Sequence, residues 1–297
     1  MPEAAEVRVI AEYLNKVWKN LLIVAMGWDS KSKFNKTGMK GLELVKVPCK
    51  VIGVYPRGKV IIIECINSQN ETIYMISQLG MEGRWVNTKE KHSNFRIYFG
   101  KINDSHTEYV ITDTWFFDDS RHFGHFNIFS DLSEIKTKHG PCLLTTALIA
   151  GGYIQFNDLQ LYQDTTSVEM FIDKTSNRRL HNKQICDFLM DQKYFSGIGN
   201  YLRAEILYRC KINPKKLLGS FDQKTIIILY NTILEQMLIA YGARGLTIKS
   251  YWDPEGNAGK CPLQVYNKER DPYGNPVERF SDKQNRTVHW VPEIQTC

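Results

Sequence analysis

The sequence predicts an α+β chain in two parts, and three observations carry that reading. Apolar residues recur at helical spacing over residues 3–18. Short runs rich in Val, Ile, Tyr and Phe fill residues 21–130, and helical patterns return beyond residue 141. The chain has 297 residues, 43% hydrophobic and 24% charged, which is material for two ordinary domains and the profile of a folded protein.

In the leading helix Val7, Ile10, Leu14 and Val17 share one face at spacings of three and four. KVPCKVIGVYPRGKVIIIECI reads as a hairpin around Arg57 and Gly58, and ETIYMISQLG, NFRIYFGK and EYVITDTWFF read as further strands. KTKHGP at 136–141 is polar and turn-rich, so residues 136–149 are expected to form a linker. RLHNKQICDFLMDQKYF and NYLRAEILYRC read as two helices flanking the turn SGIG. In FDQKTIIILYNTILEQMLIAYG, Ile226, Leu229, Ile233, Leu234, Met237 and Leu238 line one helical face, and Gly242 is the expected stop. Residues 243–260 read as a loop, and the tail reads as a hairpin turning near Tyr273-Gly274-Asn275. The expected organisation is therefore 1–135, a linker at 136–149, a helical domain at 150–260 and a hairpin at 261–297.

No apolar run approaches the roughly 18 residues of a membrane span, and the amino terminus, with Glu3 and Glu6, does not read as a signal peptide. Seven scattered cysteines, none at C-x-x-C spacing, predict reduced thiols and an intracellular protein. A net charge of +6 favours a polyanionic partner.

Four short signals bear chemistry. Pro2 and Glu3 suit the first turn of any helix, because proline has no N–H to lose there and glutamate complements the macrodipole. They equally suit a nucleophile: removal of Met1 exposes a secondary amine, and α-amines titrate near ~8. Attack on C1′ of a deoxyribose would expel the base and leave a Schiff base, with Glu3 moving protons. SGIGN, ending at Asn200, is either an ordinary glycine turn or a phosphate site at a helix amino terminus. RGKV offers Lys59, a solvated charge or a phosphate contact. SRHFG, with Met81 of QLGM, has the residue types that wedge into a duplex when a base leaves it, or else packs as core and surface. His122 and His125 do not complete a metal site, so no metal and no cofactor are expected.

Together these strings resemble the formamidopyrimidine-DNA glycosylase/endonuclease VIII family. MPEAAEV, PRGK, QLGM, SRHFG, SGIGNYLRAEILYR and NRTVHWVPEIQ occur in the family's order from the first residues to the last. Within it, NYLRAEILYR looks most like the vertebrate endonuclease VIII-like protein whose finger lacks zinc. The resemblance implies an amino-terminal β-sandwich with a leading helix, a helix-two-turn-helix domain and a zincless hairpin finger. It implies a bifunctional DNA glycosylase and AP lyase, with Pro2 as nucleophile, Glu3 as general acid and base, and Glu6 organising the site. It assigns Lys59, Asn200 and Arg286 to phosphates and Met81, Arg121 and Phe123 to the void left by the extruded base. It also implies that the loop at 243–260 shapes the base pocket.

Three departures qualify it. MPEAAE replaces the usual MPEGPE, and His122 stands where a second arginine contacts phosphate. Val291 and Ile294 stand where a C-P-x-C ending is usual, while His289 and Cys297 cannot make a four-ligand zinc site. The expected substrate is damaged DNA, double-stranded or single-stranded, bound by a monomer with no membrane involved. Oxidised pyrimidines are the expected lesion. The alternatives are 8-oxoguanine and formamidopyrimidine lesions, or a DNA-binding module without catalysis.

Overall fold

The structure is a computed structural model that describes residues 2–30, 32–34, 38–103, 105, 108–154, 164–247 and 255–296. It divides into two compact units. The first comprises residues 1–2, 6–134 and 247–259, and the second residues 3–5, 135–246 and 260–297.

The leading helix α1 spans Ala4–Trp18. Eight strands follow: β1 (Leu22–Trp28), β2 (Cys49–Arg57), β3 (Val60–Ile66), β4 (Thr72–Gln78), β5 (Arg84–Val86), β6 (Ser93–Ile102), β7 (Tyr109–Asp118) and β8 (His125–Phe129). They form one antiparallel sheet in the order β5-β7-β6-β1-β2-β3-β4-β8. β1 and β2 pair only at Leu22↔Lys50 and Ile23↔Cys49, so the sheet is weakly joined there. Val51, Ile61, Ile63 and Met75 from one half share a core with Phe95, Ile97, Phe99 and Trp115 from the other, which makes the sheet a two-layered sandwich. Trp18 of α1 enters this core, its ring 5.2 Å from Trp85 and 5.4 Å from both Phe99 and Trp115. Alternation of apolar residues along β2, β6 and β7 supplied that face, as the strand pattern predicts.

The second unit is helical: α2 (Ser133–Lys138), α3 (Leu143–Ala150), α4 (Val168–Thr175), α5 (Ile185–Met190), α6 (Asn200–Arg209) and α7 (Gln223–Gly242), then the hairpin β9 (Glu278–Ser281) and β10 (Thr287–Trp290). α7 is long and apolar enough to cross a membrane, but Ile226, Leu229, Ile233, Met237 and Ala240 are spent in the helical core. Leu234 and Leu238 pack only partly against it. Gly242 is the last helical residue, and the left-handed position that ends the helix belongs to Arg244 (φ 59°), with Gly245 N–H bonded to Ala240 O.

Three expectations are corrected. Residues 136–149 are not a linker: they include the end of α2 and most of α3, whose Leu143, Leu144, Ala147 and Leu148 are buried. The predicted helix at 179–195 shrinks to α5, because the side chain of Gln192 organises the chain beyond it. Its Nε2 donates to the carbonyls of Met190 and Ile198, and its Oε1 accepts from Gly197 N–H. The terminal hairpin turns at 282–286, where Asp282 Oδ1 accepts from Gln284 and Arg286 N–H, both at 2.9 Å. Tyr273–Asn275 is a separate tight turn with Gly274 at φ 90°. It is capped by Asp271 and closed by an Arg270↔Pro276 bridge.

Candidate functional site

In the second unit the candidate site is built around the amino terminus of α6. The Glu3 carboxylate accepts three backbone N–H groups there: Gly199 at 2.6 Å, Tyr201 at 3.0 Å and Leu202 at 3.3 Å. These are donors that a helix leaves unpaired at its start, and the macrodipole favours the negative charge beside them. Ala4 N–H donates to Gly197 O at 3.0 Å, fixing the chain on either side of the carboxylate. Glu3 is almost fully buried, 3% exposed.

One turn of helix beyond, Arg203 is wholly buried and ties α6 to the terminal hairpin. Its guanidinium donates to Asp282 Oδ2 at 2.6 Å and also to Asn200 Oδ1. Asn200 Nδ2 donates to Thr287 O at 2.9 Å. Asp282 in turn holds the backbone of Arg286, so Asn200 and Arg286, two of the three expected phosphate contacts, are mounted on one buried ion pair. The Asn200 amide is thereby held at both ends, its oxygen by Arg203 and its nitrogen by Thr287 O.

Reading residues by type missed Arg203, Asp282 and Tyr266. Arg203 stands three residues after Asn200, a helical neighbour on the same face. Asp282 stands at the start of a turn, as aspartates do. Tyr266 left no such signal: its hydroxyl pairs with Asn200. Burial first, then the nearby Glu3 charge, pushes it above the usual phenol range. Glu205 holds the segment bearing Tyr266, accepting from the N–H groups of Gln264, Val265 and Tyr266 at 2.8, 3.0 and 2.8 Å.

The finger packs Val265 and Val291 with Ala204 and Tyr208, and Val277 and Ile294 cover them. His289 is buried, its ring 5.0 Å from Tyr266, and its Nδ1 has no hydrogen-bond partner among the described residues. Burial, aided by Arg279 and Arg203, lowers its pKa to about 4. Among the described residues no three His, Cys, Asp or Glu side chains converge on a metal position, and the donors of the finger do not fit zinc. Cys297 and the loop residues 248–254 lie outside the described residues.

The first unit holds Pro2, Glu6 and Lys59. Pro2 and Glu6 are buried, and Lys59 is half-buried in the two-residue turn between β2 and β3, next to Gly58 at φ 56°. The three void-filling candidates do come together. A Cβ on Gly80 would lie 2.7 Å from both Phe123 C and Gly124 N, so the loop carrying Met81 runs against the loop carrying Arg121 and Phe123. Met81 and Phe123 are 41% and 51% exposed, large apolar side chains held out from the core. The Arg121 guanidinium lies over the Phe123 ring, 5.0 Å from its centroid. His122 occupies a left-handed corner (φ 57°), and its Nδ1 lies 3.2 Å from Asn94 Nδ2.

The amino-terminal domain model of formamidopyrimidine-DNA glycosylase matches residues 1–126. The H2TH domain model of that enzyme matches residues 161–251, and its carboxy-terminal domain model matches residues 260–296. The chain is 26% identical to the formamidopyrimidine-DNA glycosylase of Ligilactobacillus salivarius, covering 99% of each. It is 26% identical to that of Pediococcus pentosaceus, covering 83% of this chain and 82% of the relative. Among solved structures, MutM (Fpg) from Thermus thermophilus superposes with a TM-score of 0.77 at 21% identity, covering 99% of this chain and 98% of the other. A Lactococcus lactis Fpg mutant in complex with a Fapy-dG containing DNA superposes at 0.76 and 22% identity over the full length of both. These relatives are bacterial formamidopyrimidine-DNA glycosylases and lend no support to the narrower likeness to the vertebrate branch.

Proposed function

We propose that this chain, which belongs to the formamidopyrimidine-DNA glycosylase family, excises oxidised bases from DNA with the amine of Pro2 and then nicks the strand. The observation that carries this reading is the Glu3 carboxylate gripped by three N–H groups at the start of α6. It fixes a proton-transfer group one residue from the nucleophile, and such fixing is what makes intramolecular chemistry fast. The Pro2 nitrogen attacks C1′ as the glycosidic bond breaks and the base leaves with its electron pair; the nitrogen then loses its proton and its lone pair expels O4′, which takes a proton, opening the sugar to an iminium. Loss of a C2′ proton expels the 3′ phosphate, and a second elimination expels the 5′ phosphate. Glu3 carries protons in these steps. Lys59, Asn200 and Arg286 hold phosphates, with His122 as a weaker contact, and Glu6 supports the site.

For the lesion, the reading is oxidised pyrimidines, supported by the likeness of NYLRAEILYR to the endonuclease VIII-like branch. A Lactococcus lactis Fpg structure at 21% identity holds an oxidized pyrimidine containing DNA. The second reading is 8-oxoguanine and formamidopyrimidine lesions, the latter the word the relatives' names carry. Excision rates on defined lesions decide between the two. The activity itself is tested by borohydride trapping on abasic DNA, with intact mass measured alongside. Covalent capture by chains lacking Met1, and none by chains retaining it, is expected. Full capture by chains that retain Met1 would remove Pro2 from the mechanism.

A further inference from the structure

The loop bearing Arg121 and Phe123 is held by a residue that none of the recognised motifs contains. Lys33 Nζ donates to the carbonyl of His122 at 3.1 Å and to the carbonyl of Gly124. From the other side, Asp119 accepts from the N–H groups of Arg121 at 3.2 Å and Gly124 at 2.7 Å. An ammonium is suited to this because it carries three donors and no acceptor. Cation on carbonyls and carboxylate on amides together fix the peptide planes of 121–124. The exposed Arg121 and Phe123 side chains are carried on that fixed backbone. Lys33 is itself partly desolvated, and the Asp119 charge offsets that burial.

We propose that Lys33 is a positioning residue for base extrusion, holding the loop so that Arg121 and Phe123 are poised to occupy the space a departing base leaves. The inference rests on the glycosylase reading above. A loop whose backbone is already ordered gives up less conformational freedom on entering the duplex, so insertion is faster and better populated. Lys33 touches neither the sugar nor the nucleophile in this scheme. Its loss therefore slows steps that need the void filled and spares the chemistry at C1′.

The test uses the full chain, Lys33→Met and Lys33→Gln, neither of which reaches both carbonyls as a cation. A duplex carries the lesion opposite a fluorescent base analogue, whose signal rises as the partner base leaves. Borohydride trapping on a single-stranded abasic oligonucleotide reads the chemistry without a void to fill. Both variants should slow the fluorescence rise and duplex excision roughly tenfold, the scale of one lost charge-assisted hydrogen bond, with single-strand trapping unchanged. Lys33→Gln carries the same expectation if Lys33→Met does not fold. Duplex kinetics equal to the parent, or single-strand trapping lost to the same degree, would overturn the assignment. A parent chain that never traps on abasic DNA would instead overturn the glycosylase reading.

Discussion

Gly199 N–H donates to the Glu3 carboxylate at 2.6 Å, and a Cβ on Gly199 would lie 2.3 Å from the Cδ of that carboxylate. The glycine is required by space rather than by backbone angle, since its φ of −124° suits any residue. Gly199→Ala must push Glu3 out of its N–H nest. It should cost about 1–3 kcal/mol of stability as overpacking and lower imine trapping about tenfold or more by misplacing the carboxylate. Thermal melting and trapping on abasic DNA check both. Trapping at the parental rate would show that the nest does not position Glu3 for catalysis.

Arg203 and Asp282 form an ion pair with side chains 0% and 2% exposed. Arg203→Met leaves a buried carboxylate without its cation and should cost about 3–5 kcal/mol. Burial raises the Asp282 carboxyl, but hydrogen bonds from Arg203, Arg286 N–H and Gln284 N–H outweigh it and hold the group below the usual carboxylate range. Its folded pKa is thus below its unfolded one. The stability it contributes is complete above the ordinary carboxylate range and is lost as pH falls through and beneath it. Unfolding of the parent and Asp282→Asn between neutral pH and about pH 3 should show the flatter profile in the variant.

How much of this was legible in the sequence depends on whether the signal was local. Helix α1 and helix α7 are legible because a helical spacing of apolar residues runs through each, and strands β2 to β4 because each is a short β-branched and aromatic run bounded by turn residues. KTKHGP is polar and so reads as a linker, although the neighbouring α3 buries Leu143, Leu144, Ala147 and Leu148. The short α5 was overextended because the turns after it are stabilised by one side chain, Gln192, rather than by glycine or proline. Pro2, Glu3 and Asn200 stand in short local strings that bear chemistry, whereas Arg286 is assigned by family resemblance alone. Arg203 bonds Asp282 across 79 positions, and Tyr266 reaches Asn200 from another part of the chain, pairings that no sequence window shows.

His289 supplies a second pH window. Its folded pKa of about 4 lies below the ordinary 6.5, so the unfolded chain takes up the proton first as pH falls. Stability from the neutral ring is complete above 6.5 and declines toward about 4, by up to about 3 kcal/mol. His289→Phe should flatten unfolding free energies measured between those limits and leave the more acidic limb governed by Asp282. An unchanged slope would mean that His289 protonates inside the folded finger.

The finger's chemistry predicts indifference to chelators. Val265 and Val291 occupy its interior with Ile294 packed over them, so folding there draws on apolar burial rather than coordination. Elemental analysis should find no stoichiometric zinc, and chelation should leave melting temperature and trapping unchanged. Val291→Ala should destabilise by about 1–3 kcal/mol through the cavity it leaves. One tightly held zinc per chain would contradict this account of the finger.

Grip and chemistry should separate by mutation. Arg286, the proposed phosphate contact, sits half-exposed in the turn that Asp282 braces, whereas Glu3 is buried against α6. Arg286→Ala removes one cation from a polyelectrolyte contact, so binding should weaken and the salt dependence should lose about one unit of slope. Base excision should fall with it, because a loosely held backbone cannot keep the extruded nucleotide at Pro2. Glu3→Gln keeps the shape but cannot carry a proton as an acid. Affinity and salt slope should survive while excision of an intact damaged base falls, by about a hundredfold or more if Glu3 is the general acid. A preformed abasic site should remain partly reactive, since the base has already gone. Titrations of both variants with lesion and abasic duplexes at several salt concentrations read these outcomes together. A Glu3→Gln chain that lost mainly affinity, beside an Arg286→Ala chain with an unchanged salt slope, would reverse the two roles.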